Sequence, residues 1–304
     1  MIDLSIIIVS YNSKDFLISC IDSIKRYAGS IKYELIIVDN ASSDGSVDEV
    51  KKRYKEVILI KNNENLGFGK ANNIGIKIAK GEYILLLNSD TFFKKDILTK
   101  MVSWMRINPE IGISSCLLRN IDGSIQGNGG YFPTLFKVFA WMFFIEDIPL
   151  IGSLIKPFHP MHANIPFFKG DEFFKKVREF DWVSGAFFLI RNKVIKEVGY
   201  FDQDYFMYTE EVDYCFRAKK TGWRIVYNPD WYIVHRGGGS SAGGFSIISE
   251  FQGIKIFYKK HMSKLNFQFL RLFLKVGALL RIVVMGLIKG KEAIYVYKKA
   301  FEVA

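Results

Sequence analysis

Apolar positions along the first 120 residues follow two alternating rhythms. Solid or every-second-residue runs (LSIIIV, YELIIVD, VILIK and EYILLLN) predict strands. Between them FLISCIDSIKRY, SVDEVKKRY and an Ala/Ile/Lys stretch space their apolar residues as helices do. Strand and helix in turn is the pattern of βαβ units, so the expected fold class is α/β, a mostly parallel sheet flanked by helices. Each apolar run ends in a polar tip: Ser10 to Asn12, Asp39 to Ser46, Asn62 to Gly69, and Asn88 to Asp90. An open parallel sheet binds ligands outside the carboxyl ends of its strands, which makes these tips the places to look for chemistry.

Singly, each tip has a plain structural use. Ser10, Tyr11 and Asn12 fit a helix N-cap, and ASSDGS fits an ordinary turn. The glycines of NLGFGKANNIG (Gly67, Gly69 and Gly75) do not give G-x-G-x-x-G, which disfavours a dinucleotide-dependent dehydrogenase.

Later in the chain the pattern changes. Residues 129–170 crowd Tyr131, Phe132, Phe136, Phe139, Trp141, Phe143 and Phe144 among Pro133, Pro149, Pro157, Pro160 and Pro166. The stretch fits either a core helix hairpin or a mobile apolar flap that meets an acceptor or a bilayer. In FLRLFLKVGALLRIVVMGLIKGK, Lys275 and Arg281 interrupt what would otherwise be a membrane span. At helical spacing Lys264, Arg271, Lys275 and Lys289 fall within about 40° of each other, a basic stripe beside a broad apolar face. That suits an interfacial helix on anionic headgroups, which Gly277 and Gly286 are expected to break into pieces. The alternative is a helix packed on the α/β domain with its lysines in water.

Composition then changes the picture in two places. The net charge of +11 looks like a nucleic-acid signal, but residues 255–304 hold 11 Lys/Arg against 2 Asp/Glu, whereas residues 1–254 hold 31 against 29. The basicity is C-terminal and no recognition module accompanies it, so no nucleic acid is expected as partner. Cys20, Cys116 and Cys215 are odd in number and widely spaced, which argues against a disulfide framework or zinc site and fits a reducing compartment. The N-terminus reaches a strand-like run at once, without the marks of a signal peptide, so a cytoplasmic location is expected.

The ordered set VSYN, VDNASSDGS, NLGFGKANNIG, LLLNSD, GYFDQDYFMYTEEVDYCFRAKKTGW and VHRGGGS resembles inverting family 2 glycosyltransferases of the GT-A fold, nearest their rhamnosyltransferase-like branch. The resemblance covers about residues 3–240. It implies a catalytic domain over 1–240, carrying the aromatic insertion of about 129–170, and the basic stripe makes 241–304 a basic amphipathic membrane-associating region beside it. It implies that Ser10, Tyr11 and Asn12 lie against base and ribose, and that Asp39 accepts a hydrogen bond from a uracil or thymine ring N–H. Asn65 and Gly67 would floor the nucleotide, Asn88 and Ser89 would reach the ribose or sugar, and Gly185 and Ala186 would lie near the donor sugar. Trp182 would stack on an acceptor ring. Asp90, with His235, would hold Mg²⁺ or Mn²⁺ against the donor diphosphate. Glu211 stands at the catalytic-base position of TEEVD, with Glu210 and Asp213 as alternatives; Asp213 could instead pair with Arg217, one helical turn on.

The implied activity is transfer of a sugar, rhamnose foremost, from a dTDP- or UDP-sugar to a hydroxyl of a glycan or lipid-linked acceptor in cell-surface polysaccharide synthesis. The implied place is peripheral, on the anionic inner face of the cell membrane. A sugar-phosphate nucleotidyltransferase would need an early Gly-rich basic loop, which VSYNSKDF lacks. An inactive scaffold of the same fold is the remaining alternative, since Asn88 and Glu211 depart from the usual acids.

Overall fold

A computed structural model describes residues 1–148, 155–160, 170–237 and 244–304. The four predicted strands of the first half form as β1 (Leu4–Ser10), β2 (Tyr33–Asp39), β3 (Ile58–Lys61) and β4 (Tyr83–Asn88). They pair in parallel in the order β3-β2-β1-β4. The helices between them are α1 (Lys14–Tyr27), α2 (Ser46–Arg53) and α3 (Gly67–Ile78). Ile6 and Ile8 join one core cluster and Ile7 the other, so the alternation along β1 feeds a buried layer on each face.

Beyond β4 the sheet becomes mixed. The short β5 (Thr91–Phe92) is followed by α4 (Leu98–Ile107), β6 (Ile111–Arg119), β7 (Ile125–Gln126) and α5 (Leu135–Met142). Then come β8 (Arg178–Glu179), β9 (Phe187–Arg191), α6 (Asn192–Val198), α7 (Glu210–Lys220) and β10 (Arg224–His235). The full order is β3-β2-β1-β4-β9-β6-β10-β5, with β9 antiparallel to both neighbours, β7 paired to β6 and β8 to β10. Antiparallel pairing of β5 with the end of β10 sets Thr91 opposite His235.

The chain closes with α8 (Phe245–His261), α9 (Lys264–Lys289) and α10 (Lys291–Val303). Phe251, Leu274 and Ala300 of these helices share one core cluster with Ile7 and Val38 of the sheet. Two expectations fail here. α9 runs unbroken for 26 residues. Its glycines serve close packing instead: a Cβ on Gly277 would lie 2.5 Å from Met142 of α5, and one on Gly286 would lie 2.7 Å from Ile294 of α10.

The basic stripe is only in part the solvent face: Lys264 and Lys289 at its two ends are exposed. Arg271 and Lys275 are half-buried, and Arg281 is buried with its guanidinium over the Trp141 and Phe144 rings, donating to the Trp141 carbonyl. Solvent also meets Leu265, Phe269, Leu272, Val276, Leu279 and Val283. No helix among the described residues is long and apolar enough to cross a membrane. Within the aromatic insertion, α5 packs on α9 with Phe139 5.0 Å from Phe273, as in the core-hairpin reading. Pro149 and Pro166 lie outside the described residues.

Candidate active site

Parallel register brings three of the polar tips to one edge. Ser10 pairs with Asp39, and the preceding Val9 with Asn88. A chain of hydroxyls runs along this edge, Ser10 Oγ to Ser13 Oγ at 3.0 Å and Ser13 Oγ to Ser89 Oγ at 3.0 Å. Ser13 was missed in the sequence, although it stands at the N-cap spacing from Ser10.

Asp39 is 1% exposed; its Oδ2 accepts from the Ser42 N–H at 3.0 Å, while its buried Oδ1 has no partner. A buried carboxylate oxygen without a donor is costly, and a ligand N–H would satisfy it. Tyr11 beside it is exposed, so its ring is open to stacking. Asn12 is less open. Held at φ 47°, it donates its backbone N–H to Ser42 Oγ and accepts from the Ser43 N–H with Oδ1, so it ties two loops together.

Asn65 and Gly67 differ most from expectation. Asn65 Oδ1 accepts from Asn40 Nδ2 at 3.1 Å and from the Gly67 N–H at 3.0 Å. Gly67 sits at φ 77°, and the space of its missing side chain is filled by the Phe206 carbonyl, not left open under a nucleotide. Gly185 likewise makes room for the Phe68 ring, 2.5 Å from where its Cβ would be, and Ala186 is buried in the sheet. These residues lock the NLGFG segment to the loop before α7.

Asp90 follows the end of β4. Its Oδ1 lies 3.3 Å from His235 Nε2. Gln126 orients the histidine: its Nε2 donates to the His235 carbonyl at 2.8 Å, which leaves Oε1 to accept from His235 Nδ1 at 2.7 Å. With the proton on Nδ1, a neutral imidazole presents the lone pair of Nε2 to a carboxylate oxygen. Two acceptors face each other unless a proton or a cation lies between them. Burial raises the Asp90 carboxyl, but the hydrogen bond and charge of a protonated His235 outweigh it and hold the group below the ordinary aspartate value.

This donor pair fits a hard cation that takes its remaining ligands from phosphate and water. Among the described residues no group of three or more His, Cys, Asp or Glu could hold a metal alone. Gln126 is 109 residues from His235 and left no local signal in the sequence. The Gly/Ser stretch after His235 lies mostly outside the described residues.

The carboxylates of TEEVD start α7. Tyr208 and Thr209 precede it at φ 69° and 72°, consecutive left-handed conformations that cost energy and cluster at functional sites. They aim Glu210 and Glu211 inward. Glu210 is 3% exposed against Gly69, and burial and then the Glu211 charge push its carboxyl well above the ordinary glutamate value.

Glu211 is half-buried with its Oε2 unpartnered. Burial raises its carboxyl to about 7, against the lowering effect of the backbone at the helix start and of the His159 charge. His159 comes from the aromatic insertion and is ion-paired with Glu250 of α8. Neither was anticipated from sequence.

Asp213, the other candidate base, is sealed: its Oδ2 accepts from Arg217 Nε at 2.8 Å and its Oδ1 is 2.6 Å from His261 Nε2. It pins α7 to α8. Trp182 is 4% exposed, packs 5.8 Å from Phe158 and donates to the Tyr131 carbonyl at 3.3 Å. As it stands it is core, not an open platform for an acceptor ring.

Known proteins resemble the chain in both sequence and shape. N-acetylglucosaminyl-diphospho-decaprenol L-rhamnosyltransferase of Mycobacterium tuberculosis is 27% identical over 212 residues, 66% of this chain and 66% of that protein. The chain thus spans about two thirds of that relative's length. Rhamnosyltransferase WbbL of Escherichia coli is 26% identical over 237 residues, 76% of this chain and 82% of that one.

Two solved structures share the fold. Staphylococcus aureus TarS 1–349 in complex with UDP superimposes with a TM-score of 0.55 at 16% identity, covering 95% of this chain and 76% of that chain. Mannosyltransferase PcManGT from Pyrobaculum calidifontis, with GDP-Man and Mn²⁺, gives a TM-score of 0.55 at 15% identity, covering 99% and 83%. The sequence model of glycosyl transferase family 2 matches residues 5–199, well over half of the chain, and the protein belongs to that family.

Proposed function

We propose that the protein is an inverting, cation-assisted glycosyltransferase that moves a sugar, rhamnose first among candidates, from a dTDP- or UDP-sugar to a hydroxyl of a glycan or lipid-linked acceptor. The observation that carries this reading is the Asp90–His235 pair on the sheet edge that also holds the unpartnered Asp39 oxygen. Asp39 receives the ring N–H of the base, Tyr11 stacks on it, and the Ser10–Ser13–Ser89 hydroxyls and Asn88 lie where ribose and sugar would follow.

Asp90 and His235 would hold Mg²⁺ or Mn²⁺, which supplies charge stabilisation for the departing nucleoside diphosphate. Glu211 takes the proton of the acceptor hydroxyl. As that oxygen bonds to the anomeric carbon, the bond from this carbon to the phosphate oxygen breaks on the opposite face, and the configuration inverts. A base near neutrality suits this task, and Glu211 is the TEEVD carboxylate with that property and partial access. The rhamnosyltransferase relatives support the donor sugar, and the Mn²⁺ of the mannosyltransferase neighbour supports the cation.

The same reading places the enzyme peripherally on the inner membrane face, supported by the apolar row that α9 presents to solvent. Sedimentation with phosphatidylglycerol vesicles tests it: the wild type should co-sediment, and Leu272→Ser with Val283→Ser should remain in the supernatant.

Incubation with Mn²⁺ and a panel of nucleotide sugars tests the chemistry. Nucleoside diphosphate should be released from one donor, and Asp90→Ala should abolish it. Release of pyrophosphate, or no turnover of any donor with or without lipid acceptor, overturns the reading.

A further inference from the structure

Between the Asp39 end of the sheet and Glu211 runs a set of buried polar contacts that the chemistry above leaves unused. Asn40 follows Asp39 and is buried. Its Nδ2 donates to Asn65 Oδ1 and to the Gly67 carbonyl, each at 3.1 Å, and its Oδ1 accepts from Asn62 Nδ2 at 2.8 Å. One amide thus fixes the loop between β3 and α3 to the end of β2.

That loop in turn carries the segment before α7. The Phe68 N–H donates to the Phe206 carbonyl at 2.9 Å, beside the space that Gly67 leaves. Asn73, buried on α3, holds the start of the same segment with both ends of its amide: Nδ2 donates to the Phe201 carbonyl at 2.8 Å, and Oδ1 accepts from the Phe201 N–H at 2.9 Å. These partners are 128 residues apart. The Phe201 ring then stacks on Tyr214 of α7, with centroids 4.5 Å apart.

The segment ends in Tyr208 and Thr209, the two left-handed residues from which Glu210 and Glu211 start α7. Such residues persist only where their surroundings over-determine them, and the two asparagines supply that restraint. The body of α7 has anchors of its own. Asp213 is bound to Arg217 and His261, Arg217 donates to the Val198 and Tyr200 carbonyls, and Val212, Tyr214 and Cys215 lie in the core. Loss of an asparagine therefore frees the first turn of α7 while the helix stays in place.

We propose that Asn73 and Asn40 are positioning residues for the base: through Phe201, Phe68 and Phe206 they hold the first turn of α7 in fixed register with the sheet edge, so that Glu211 meets an acceptor hydroxyl aligned with the seated donor. The proposal rests on the glycosyl-transfer reading above. Alignment of reacting groups is worth orders of magnitude in rate, and a small misplacement forfeits much of it.

Kinetics of the full chain with the donor that wild type turns over, beside calorimetric titration with the matching nucleoside diphosphate, supply the test. Asn73→Ala should lower kcat about 10- to 100-fold, with nucleoside diphosphate affinity within about twofold of wild type. Asn40→Ala should lower kcat at saturating donor as well, and the double variant should lose less than the product of the two single losses, because both act through one segment.

The acid limb of kcat separates positioning from general destabilisation. Glu211 is faced by Glu210 on its own helix, His159 of the aromatic insertion, Glu250 of α8 and Cys215, and burial raises its carboxyl to about 7. A freed first turn gains water, so the limb in Asn73→Ala should move to lower pH. Asn192→Ala removes another long-range bond, Asn192 Nδ2 to the Gly81 carbonyl at 2.9 Å, at the opposite end of the sheet, and should keep both kcat and limb.

A kcat within about twofold of wild type in Asn73→Ala and Asn40→Ala, or an unmoved limb, overturns the proposal. Loss of nucleoside diphosphate binding in Asn73→Ala also overturns it, because the amide then serves the donor floor. Should Asn73→Ala fail to fold, Asn40→Ala carries the same reading of kcat and limb. If wild type turns over no donor, the glycosyl-transfer reading fails, and hydrogen exchange still decides the placement: amides of residues 206–211 should exchange at least about tenfold faster in Asn73→Ala than in wild type, and equal exchange overturns it.

Discussion

Asp90, at the end of β4, and Glu211, at the start of α7, are both half-buried carboxylates, yet their surroundings drive them in opposite directions. Asp90 faces an imidazole fixed by Gln126 and is held ionised. Glu211 is desolvated, with Glu210, Glu250 and His159 near it, and burial raises its carboxyl to about 7. The difference teaches that sequence position supplies the acids while the neighbours assign their work. A carboxylate that stays charged can hold a cation, and one poised near neutrality can accept a proton.

Four experiments would break or sharpen that contrast. The largest effect is expected from Asp90→Asn, which should lower nucleoside diphosphate release at saturating Mn²⁺ by about 10³-fold, since charge stabilisation of this kind is worth several kcal/mol. Next, Glu211→Gln should reduce transfer by about 10²- to 10⁴-fold, the range for a lost general base, while Glu210→Gln should cost less. The wild-type rate should fall as pH drops below about 7, because protonated Glu211 cannot act as base, and Glu211→Gln should flatten that limb. An unaltered profile in Glu211→Gln would transfer the role to Glu210.

A smaller effect is expected at the imidazole. His235→Ala should raise the Mn²⁺ concentration for half-maximal activity about 10- to 100-fold and Gln126→Ala about 10-fold, as groups that orient ligands do. Unchanged Mn²⁺ dependence in His235→Ala would remove the histidine from the cation site.

The smallest effect is on stability. Glu211 has a folded-state value raised from 4.5 to about 7, so the folded chain holds its proton more tightly than the unfolded one. Its stabilising contribution is present below about pH 4.5 and is lost as pH rises to about 7. Glu211→Gln should therefore melt higher than wild type at pH 8, with the gap closing toward pH 4.5; a melting point below wild type at pH 8 would show that the ionised form is not strained.

The sheet edge was readable because its logic is local. An apolar run that stops on Ser10, Asp39 or Asn88 must place that residue at a strand end, and parallel pairing brings the ends together. The orientation of the C-terminal stripe was not legible for the opposite reason. Helical spacing correctly grouped Lys264, Arg271, Lys275 and Lys289, but the angle around a helix does not say which face meets the core. Packing against α5, α8 and α10 turned the basic side partly inward and left the apolar row in solvent. Gly277 and Gly286 were misread, since a glycine that relieves a close contact looks in sequence like one that breaks a helix.

By itself, then, the sequence determined the α/β sheet and the family, and it marked Asp39, Asp90, Glu211 and His235 as candidates, because strand periodicity and ordered motifs are written along the chain. Only the tertiary structure decided that Gln126 orients His235, that Asp213 is bound to Arg217 and His261, that Gly67 serves Phe206, and that His159 stands near Glu211. Those contacts join residues up to 109 positions apart. Burial and partner charge, which set what each acid does, exist only after the chain has folded.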